Sequence, residues 1–213
     1  MLVKADNQPI NARAAGDANW ITDYITPRNP DVMLKYQLLS KGLYRSEDII
    51  TAIWRYVASF PYKETISSKL ITGGKTFIQK DTWFYPAETL KIQTSNCANR
   101  AFLLASLLKN HLTEPGDVYV VVGNITIDGI GAHAWVQVRV NDRPYFLEAT
   151  QLNLPNAFIP TSQSAYNPIV YLDENSVYTV STTIDIAEVL SARFGVCAIP
   201  FLRNYLCDKC LSL

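Results

Sequence analysis

The run of small and aliphatic residues that follows Asn96 and Cys97 constrains the fold more than any other feature of the sequence. Its members recur at steps of three and four residues, at Ala98, Ala101, Leu104, Ala105 and Leu108. This spacing is typical of an α-helix that packs in a protein core. Asn96 is a good N-cap residue, so Cys97 falls at the first helical position. We therefore expect a central, buried helix that begins at Cys97.

Helices are predicted before this point in the chain and strands after it. The expected earlier helices cover residues 32–40, 47–60 and 86–92, with Ser46 as the N-cap of the second. Residues 69–80 are expected to form a small hairpin or an ordered loop. The expected strands cover residues 117–122, 132–140, 145–150, 169–172 and 177–180, and a last helix covers 184–194. Helices followed by an antiparallel sheet indicate an α+β fold, with the central helix packed on the sheet.

The length of 213 residues allows one domain with a sizeable core. Residues 1–30 are polar and turn-rich, and we interpret them as an N-terminal arm. Residues 31–213 are predicted to form a single domain, with its core at about 45–150 and an extension of sheet and helix at 151–213.

Charge and composition argue against several classes of function. Nineteen basic residues balance nineteen acidic ones, so no strong net field draws the chain to nucleic acid or to an anionic membrane. The sequence has no apolar run long enough to cross a bilayer, and its start, MLVKADNQPI, lacks the features of a secretory signal. We expect a cytoplasmic protein without a nucleic-acid or membrane partner; its oligomeric state stays open.

The four cysteines are unevenly spread. Cys97 stands alone, and the others crowd the C-terminal end at Cys197, Cys207 and Cys210. Disulfide-stapled secreted domains have a more even framework, so we expect reduced thiols. Cys207 and Cys210 could supply half of a zinc site or form a dithiol or disulfide, but the default interpretation is a C-terminal segment with small apolar thiols.

The position of Cys97 suits a nucleophile, because a helix N-terminus favours a thiolate and its N–H groups can bind a developing oxyanion. His111 lies about 14 residues further along the same helix, about 20 Å away and too far to act as its base. His133 lies on a predicted strand, and Glu148, on the next strand, comes nearly opposite it in the hairpin. The sequence therefore predicts a Cys97–His133–Glu148 triad. A buried structural cysteine, a core histidine and a surface glutamate are the alternatives.

Several stretches resemble the transglutaminase-like superfamily, in particular its bacterial transglutaminase-like cysteine proteinases. The resemblance covers about residues 45–150 and rests on residues 81–83, 86–90, 96–97, 133–136 and 145–150. It implies a papain-like core. It also implies that Cys97 forms a thioester with a peptide or carboxamide carbonyl, that His133 acts as base and then as acid, and that Glu148 orients His133.

The sequence departs from the family pattern in two ways. The usual third member is aspartate, and Glu148 is one methylene longer. Many members also carry acidic residues around the cysteine, and some bind calcium there, whereas this chain has uncharged Asn96 and Asn99. We therefore expect no calcium at this place, and the sequence leads us to predict no other metal and no cofactor. Candidates for the second oxyanion donor or for the cleft wall are Gln93, Trp83 and Asn96.

The favoured function is that of a cysteine peptidase or amidase that acts on a protein or peptide through a thioacyl intermediate. One alternative is a transglutaminase, which would transfer the acyl group to an amine. Another, from a different class, is a binding or assembly module that uses the same fold without turnover. The identity of the substrate is not encoded in any motif of the sequence.

Overall fold

The computed structural model describes residues 2–7, 9–11, 19–64, 68–72, 75–79, 82–126, 131–150, 156–186, 189 and 197–198. Its helices are α1 (Pro30–Ser40), α2 (Ser46–Ala58), α3 (Pro86–Ile92) and α4 (Cys97–Leu108), with a short 3-10 helix at Ile21–Tyr24. Its strands are β1 (Val3–Ala5), β2 (Pro9–Asn11), β3 (Asn19–Trp20), β4 (Ser68–Thr72), β5 (Lys75–Gln79), β6 (Val118–Ile125), β7 (Gly131–Val140), β8 (Arg143–Leu147), β9 (Ile159–Pro160), β10 (Tyr166–Leu172), β11 (Val177–Thr179) and β12 (Cys197–Ala198).

Seven strands form the main sheet in the order β1-β11-β10-β6-β7-β8-β9. Every neighbouring pair in it is antiparallel. The helices precede the central strands in sequence, and α4 packs against β6 and β7. This is the expected α+β architecture.

Helix α4 is the centre of the core, as the sequence predicts. All of its twelve residues are buried, and α1, α2 and α3 pack around it while the sheet covers its remaining side. The amphipathic helix α2 contributes one apolar face, formed by Ile49, Ile50, Ile53, Trp54 and Val57. Because α4 is enclosed on all sides, any polar side chain on it needs a partner inside the protein.

The other face of the sheet carries an aromatic cluster formed by Trp135, Phe146, Tyr166 and Tyr171 around Val121. Gly123 on β6 pairs with His133 on β7. Because Gly123 has no side chain, the backbone of β10 and the ring of Trp135 can lie close to it. A Cβ atom at Gly123 would lie 2.1 Å from the carbonyl oxygen of Asn167 and 2.8 Å from the Trp135 ring. A residue without a side chain is therefore needed beside His133.

The predicted N-cap of α2 is wrong by one residue. The helix begins at Ser46, and Arg45 occupies the N-cap position without a side-chain hydrogen bond. The Ser46 hydroxyl lies 2.8 Å from Nε2 of His111. Ser46 therefore contacts the residues that follow α4 instead of capping the N–H groups of its own helix.

The described parts of residues 1–30 take part in the main sheet and in the core. Strand β1 pairs with β11 at the edge of the main sheet, and Ile21, Tyr24 and Ile25 are buried in the core. The polar composition of this segment does not indicate that contribution. The domain boundary near residue 30 stays a prediction.

The predicted helix at 184–194 falls largely outside the described residues, and Cys207 and Cys210 fall entirely outside them.

Candidate active site

Cys97 occupies the first position of α4, where the sequence predicts it. The side-chain oxygen of Asn96 accepts a hydrogen bond of 3.0 Å from the N–H of Asn99 and so caps the helix. Asn99 in turn fixes the preceding segment, because its carboxamide bonds the Thr82 carbonyl and the Phe84 N–H. Cys97 is a free thiol, and its residue surface is 9% exposed.

His133 and Glu148 form a buried pair beside this thiol. Nε2 of His133 lies 2.6 Å from Oε2 of Glu148, and the two side chains are 7% and 1% exposed. The His133 side chain also interacts with Cys97, and this interaction contributes to the raised pKa of His133. An imidazole has two ring nitrogens, so the contact with Glu148 leaves Nδ1 for the thiol. One imidazole thus connects the cysteine and the carboxylate.

The electrostatics of this pair favour its charged form. Burial opposes the charge on His133, but the Glu148 carboxylate and the hydrogen bonds with Cys97 and Glu148 outweigh it and raise the pKa of His133 from 6.5 to about 10. Burial likewise opposes the charge on Glu148. The charge of His133 and the hydrogen bonds from His133 and Thr150 outweigh that effect and lower the pKa of Glu148 below its usual 4.5. The pair is therefore imidazolium and carboxylate at neutral pH.

The contact between His133 and Glu148 does not form through the strand pairing that the sequence predicts. Strand β8 ends at Leu147, which pairs with Val136 of β7, so a continued ladder would bring Glu148 opposite Trp135 and not opposite His133. Glu148 instead lies just beyond β8, where the chain leaves the sheet. His133 and Glu148 do contact each other, but Glu148 lies one residue beyond the strand and not on it; the roles of the two residues stay a prediction.

Several groups hold Glu148 at this point. Its Oε1 accepts hydrogen bonds from the backbone N–H of Thr150 at 2.7 Å and from the Thr150 hydroxyl at 2.6 Å. The indole N–H of Trp54 on α2 donates to the backbone carbonyl of Glu148 at 2.7 Å. Tyr166 approaches from the aromatic face; its burial and the nearby Glu148 charge raise its pKa. Both carboxylate oxygens are thus engaged, which a buried carboxylate requires.

Arg100 is the residue of this region that the sequence reasoning missed. It is the one charged residue of α4, and it lies one helical turn after Cys97 with only 2% of its surface exposed. Its guanidinium donates to the Ser95 hydroxyl at 3.1 Å and to the carbonyls of Ala149 and Phe60. A single charge in an otherwise uncharged helix was the available signal, because a helix that is enclosed on all sides cannot leave such a group in solvent.

The segment after α2 borders Cys97 and Arg100. Tyr62 forms a parallel bridge with Ser95, and its ring packs 5.1 Å from the Arg100 guanidinium. Its partial burial and the negative charge of Cys97 raise the pKa of Tyr62. Because Tyr62 is also exposed to solvent, it forms part of the surface next to the thiol.

The three oxyanion and cleft candidates lie in different surroundings. Trp83 does not line an open wall: it is 0% exposed and packs in the core against the rings of Tyr24 and Phe102. Gln93 is exposed at the end of α3 and adopts a left-handed conformation with φ of 54°, which is uncommon for a residue other than glycine. Asn96 has the capping role described above. An oxyanion role for Gln93 or Asn96 stays a prediction.

Among the residues that the structure describes, no group of three or more His, Cys, Asp or Glu side chains is arranged to hold a metal ion. The expected absence of a metal and of other cofactors stays a prediction. None of the helices in the described part of the chain has the length and apolarity needed to cross a membrane.

The fold resembles solved structures of LapG from Legionella pneumophila. EGTA-treated LapG aligns with a TM-score of 0.53 at 13% identity, over 76% of this chain and 85% of LapG. A second LapG structure gives 0.44 at 14% identity, over 70% and 88%, and calcium-bound LapG gives 0.42 at 15% identity, over 73% and 91%. No protein-family model matches the sequence, and no curated protein matches it significantly.

The first of these similarities identifies the fold. An antiparallel sheet with packed helices matches the transglutaminase-like fold of LapG. The predicted fold class, a transglutaminase-like core with a central helix on an antiparallel sheet, is therefore confirmed. At this level of identity the similarity concerns the fold alone, and the roles of Cys97, His133 and Glu148 must be argued from their own geometry.

Proposed function

We propose that the protein is a cysteine peptidase or amidase with Cys97 as nucleophile, His133 as proton carrier and Glu148 as the acid that orients and charges His133. The observation that carries this proposal is the buried imidazole that contacts both Cys97 and Glu148. Nucleophile, base and orienting acid connected in this way are the components of acyl-transfer catalysis. LapG, whose fold the chain shares, is a cysteine protease, which is consistent with protein or peptide substrates.

The first half of the reaction forms a thioester. In the reactive form of the site, the imidazolium of His133 pairs with a thiolate at Cys97. The sulfur attacks the carbonyl carbon of the substrate amide, and the backbone N–H of Cys97 at the helix start donates to the developing oxyanion. The C–N bond then breaks, and His133 gives its proton to the leaving amine. Neutral His133 and the thioester at Cys97 remain.

The second half releases the acid. His133 takes a proton from a water molecule, whose oxygen attacks the thioester carbonyl. The C–S bond breaks, the carboxylic acid leaves, and Cys97 and His133 return to the thiolate and imidazolium pair. Glu148 stays ionised throughout, because its two oxygens accept hydrogen bonds from His133 and Thr150.

Alkylation by iodoacetamide tests this proposal directly. At pH 6 a thiolate paired with an imidazolium reacts far faster than an ordinary cysteine. We expect Cys97 to be alkylated at least about tenfold faster in the folded protein than in urea, with the modified residue identified by mass spectrometry. The excess should disappear in the His133→Ala variant, whose other cysteines serve as internal references.

Equal rates in the folded and unfolded protein, or an excess that survives His133→Ala, would overturn the proposal. Turnover of an activated ester in the presence of a primary amine then separates the possible reactions. The free acid as sole product supports hydrolysis, an amide product supports acyl transfer, and stable acylation of Cys97 without turnover supports a binding module.

A further inference from the structure

The guanidinium of Arg100 connects three segments that meet at the site. It donates to the Ser95 hydroxyl, two residues before Cys97, and to the carbonyl of Ala149, the residue next to Glu148. It also donates to the carbonyls of Ala58 and Phe60 at the C-terminal end of α2. One side chain therefore joins the start of the nucleophile helix to the segment that carries the acid.

These hydrogen bonds link the start of the Cys97 helix to the segment after β8 that carries Glu148. Glu148 lies beyond the last residue of β8, so the β7–β8 ladder does not fix its position. Trp54 holds the carbonyl of Glu148, and Arg100 holds the next carbonyl, that of Ala149. Of the two donors, Trp54 and Arg100, only Arg100 belongs to the same helix as Cys97.

The charge of Arg100 is unusual for its surroundings. All of its hydrogen bonds go to uncharged oxygens, and no carboxylate among the described residues forms an ion pair with it. A buried guanidinium without compensating negative charge is costly. Burial lowers its pKa, and the charges of Tyr62, Glu148 and Cys97 oppose that effect. Because the pKa of Tyr62 is itself raised, the charges that compensate Arg100 near neutral pH are those of Glu148 and of a thiolate at Cys97.

The titratable groups that face Arg100 come from three elements. Tyr62 lies on the segment after α2, Cys97 on α4 itself and Glu148 on the segment after β8. Cys97 and Glu148 also face His133 of β7, and Glu64 faces Tyr62. When Cys97 is a thiolate, the centre of the site holds two negative charges, on Cys97 and Glu148. It also holds two positive charges, on His133 and Arg100, so the net charge is zero.

We propose that Arg100 is a positioning residue of the site, whose guanidinium holds the Cys97 and Glu148 segments together and whose charge favours the thiolate of Cys97. This inference rests on the proposed function of Cys97 and adds a fourth residue to its machinery. Arg100 acts on Cys97 and Glu148 and does not itself contact the reacting carbonyl.

The test is the pH profile of Cys97 alkylation by iodoacetamide between pH 4 and pH 10. In Arg100→Gln, which removes the charge, we expect the midpoint of the profile to move to higher pH by about one unit and the rate at pH 6 to fall about tenfold. Arg100→Lys keeps the charge but not the planar fork. Its midpoint should stay close to that of the wild type, while its maximal rate falls. Arg139→Gln, on an exposed arginine paired with Asp117, is the matched control and should leave the profile unchanged.

A role in folding alone would lower the rate at every pH without moving the midpoint in Arg100→Gln, and that result would overturn the proposal. If Arg100→Gln does not fold, as judged by circular dichroism, Arg100→Lys decides alone. A reduced maximal rate with an unmoved midpoint, in a sample that urea unfolding shows to be fully folded, supports the proposal. A wild-type profile, a displaced midpoint, or a rate reduced only in proportion to the unfolded fraction overturns it. If Cys97 of the wild-type protein reacts no faster in the folded than in the denatured state, the proposed function itself has failed. If wild-type Cys97 reacts fast and Arg100→Gln has the same pH profile, only the role of Arg100 is rejected.

Discussion

Strand β7 carries two ion pairs of nearly equal length in opposite surroundings. At one end, His133 lies 2.6 Å from Glu148, and the two side chains are 7% and 1% exposed. Six residues further on, Arg139 lies 2.8 Å from Asp117, and the side chains are 44% and 13% exposed. The first pair is removed from water at the candidate site, and the second borders solvent near the other end of the strand.

The difference shows that the distance between two charged atoms does not determine what the pair contributes. Water and salt screen an exposed pair, which adds little to stability. A buried pair loses its hydration and persists only when further hydrogen bonds replace it. Glu148 has these bonds from the N–H and the hydroxyl of Thr150. The buried pair is therefore part of a network that depends on all of its members.

The largest expected difference between the two pairs appears when the acid of each pair is replaced by alanine. Glu148→Ala leaves the imidazolium of His133 buried without its partner, so we expect the free energy of unfolding at pH 6 to fall by about 3 to 5 kcal/mol. We also expect the excess reactivity of Cys97 to be lost. Asp117→Ala should leave both properties at their wild-type values. Urea unfolding, followed by tryptophan fluorescence, measures the stability of each variant.

Similar losses in the two variants would break the comparison, because they would mean that burial does not distinguish the pairs. Glu148→Gln refines the result. It keeps the shape of the side chain and removes its charge, so a loss of Cys97 reactivity with a smaller loss of stability would separate the electrostatic role of Glu148 from its packing.

The contrast also shows which parts of the site a sequence can reveal. Cys97 and its cap were predictable because helix capping is local and depends on neighbouring residues. The contact of His133 with Glu148 was predicted from a hairpin register, yet it forms where the chain leaves that hairpin. Arg100 could not be assigned a role, because three of its four acceptors are backbone carbonyls at distant positions, and any residue type supplies those.

The same limit applies to the fold. The central helix and the antiparallel order of the strands follow from periodicities that the sequence displays directly. The edge strand β1 was missed because three residues of pairing with β11 leave no periodic pattern. Ser46 was assigned to the wrong position because its hydroxyl contacts His111, a partner 65 residues away that no local rule indicates.

The second largest effect concerns pH. The folded-state pKa of His133, about 10, exceeds its ordinary value of 6.5, so its contribution to stability is complete below pH 6.5 and is lost as the pH rises toward 10. We expect stability to fall by about 2 to 3 kcal/mol between pH 6.5 and pH 8.5. Glu148 acts in the opposite direction: its lowered pKa gives stability above about pH 4.5 that is lost in acid.

Urea unfolding at a series of pH values measures this dependence, and His133→Asn is the variant that isolates it. We expect His133→Asn to be less stable than the wild type at pH 6. Its free energy of unfolding should then fall much less between pH 6.5 and 8.5 than that of the wild type. Arg139→Gln should retain the wild-type decline, because it leaves the pair of His133 and Glu148 unchanged. An unchanged decline in His133→Asn would mean that the buried pair is not its source.

The smallest of the three effects tests the space next to the buried pair. Gly123 pairs with His133 across β6 and β7, and a methyl group there would overlap the carbonyl of Asn167 and the ring of Trp135. We expect Gly123→Ala to lower the free energy of unfolding by about 1 to 3 kcal/mol, which is typical of overpacking, and to slow Cys97 alkylation by displacing His133. Gly131→Ala is the matched control, because a Cβ atom at that position meets no atom within 4 Å. Equal stability of the two variants would show that β10 and Trp135 yield to the added methyl group, and that the position of His133 depends on Glu148 and not on the close packing of β6.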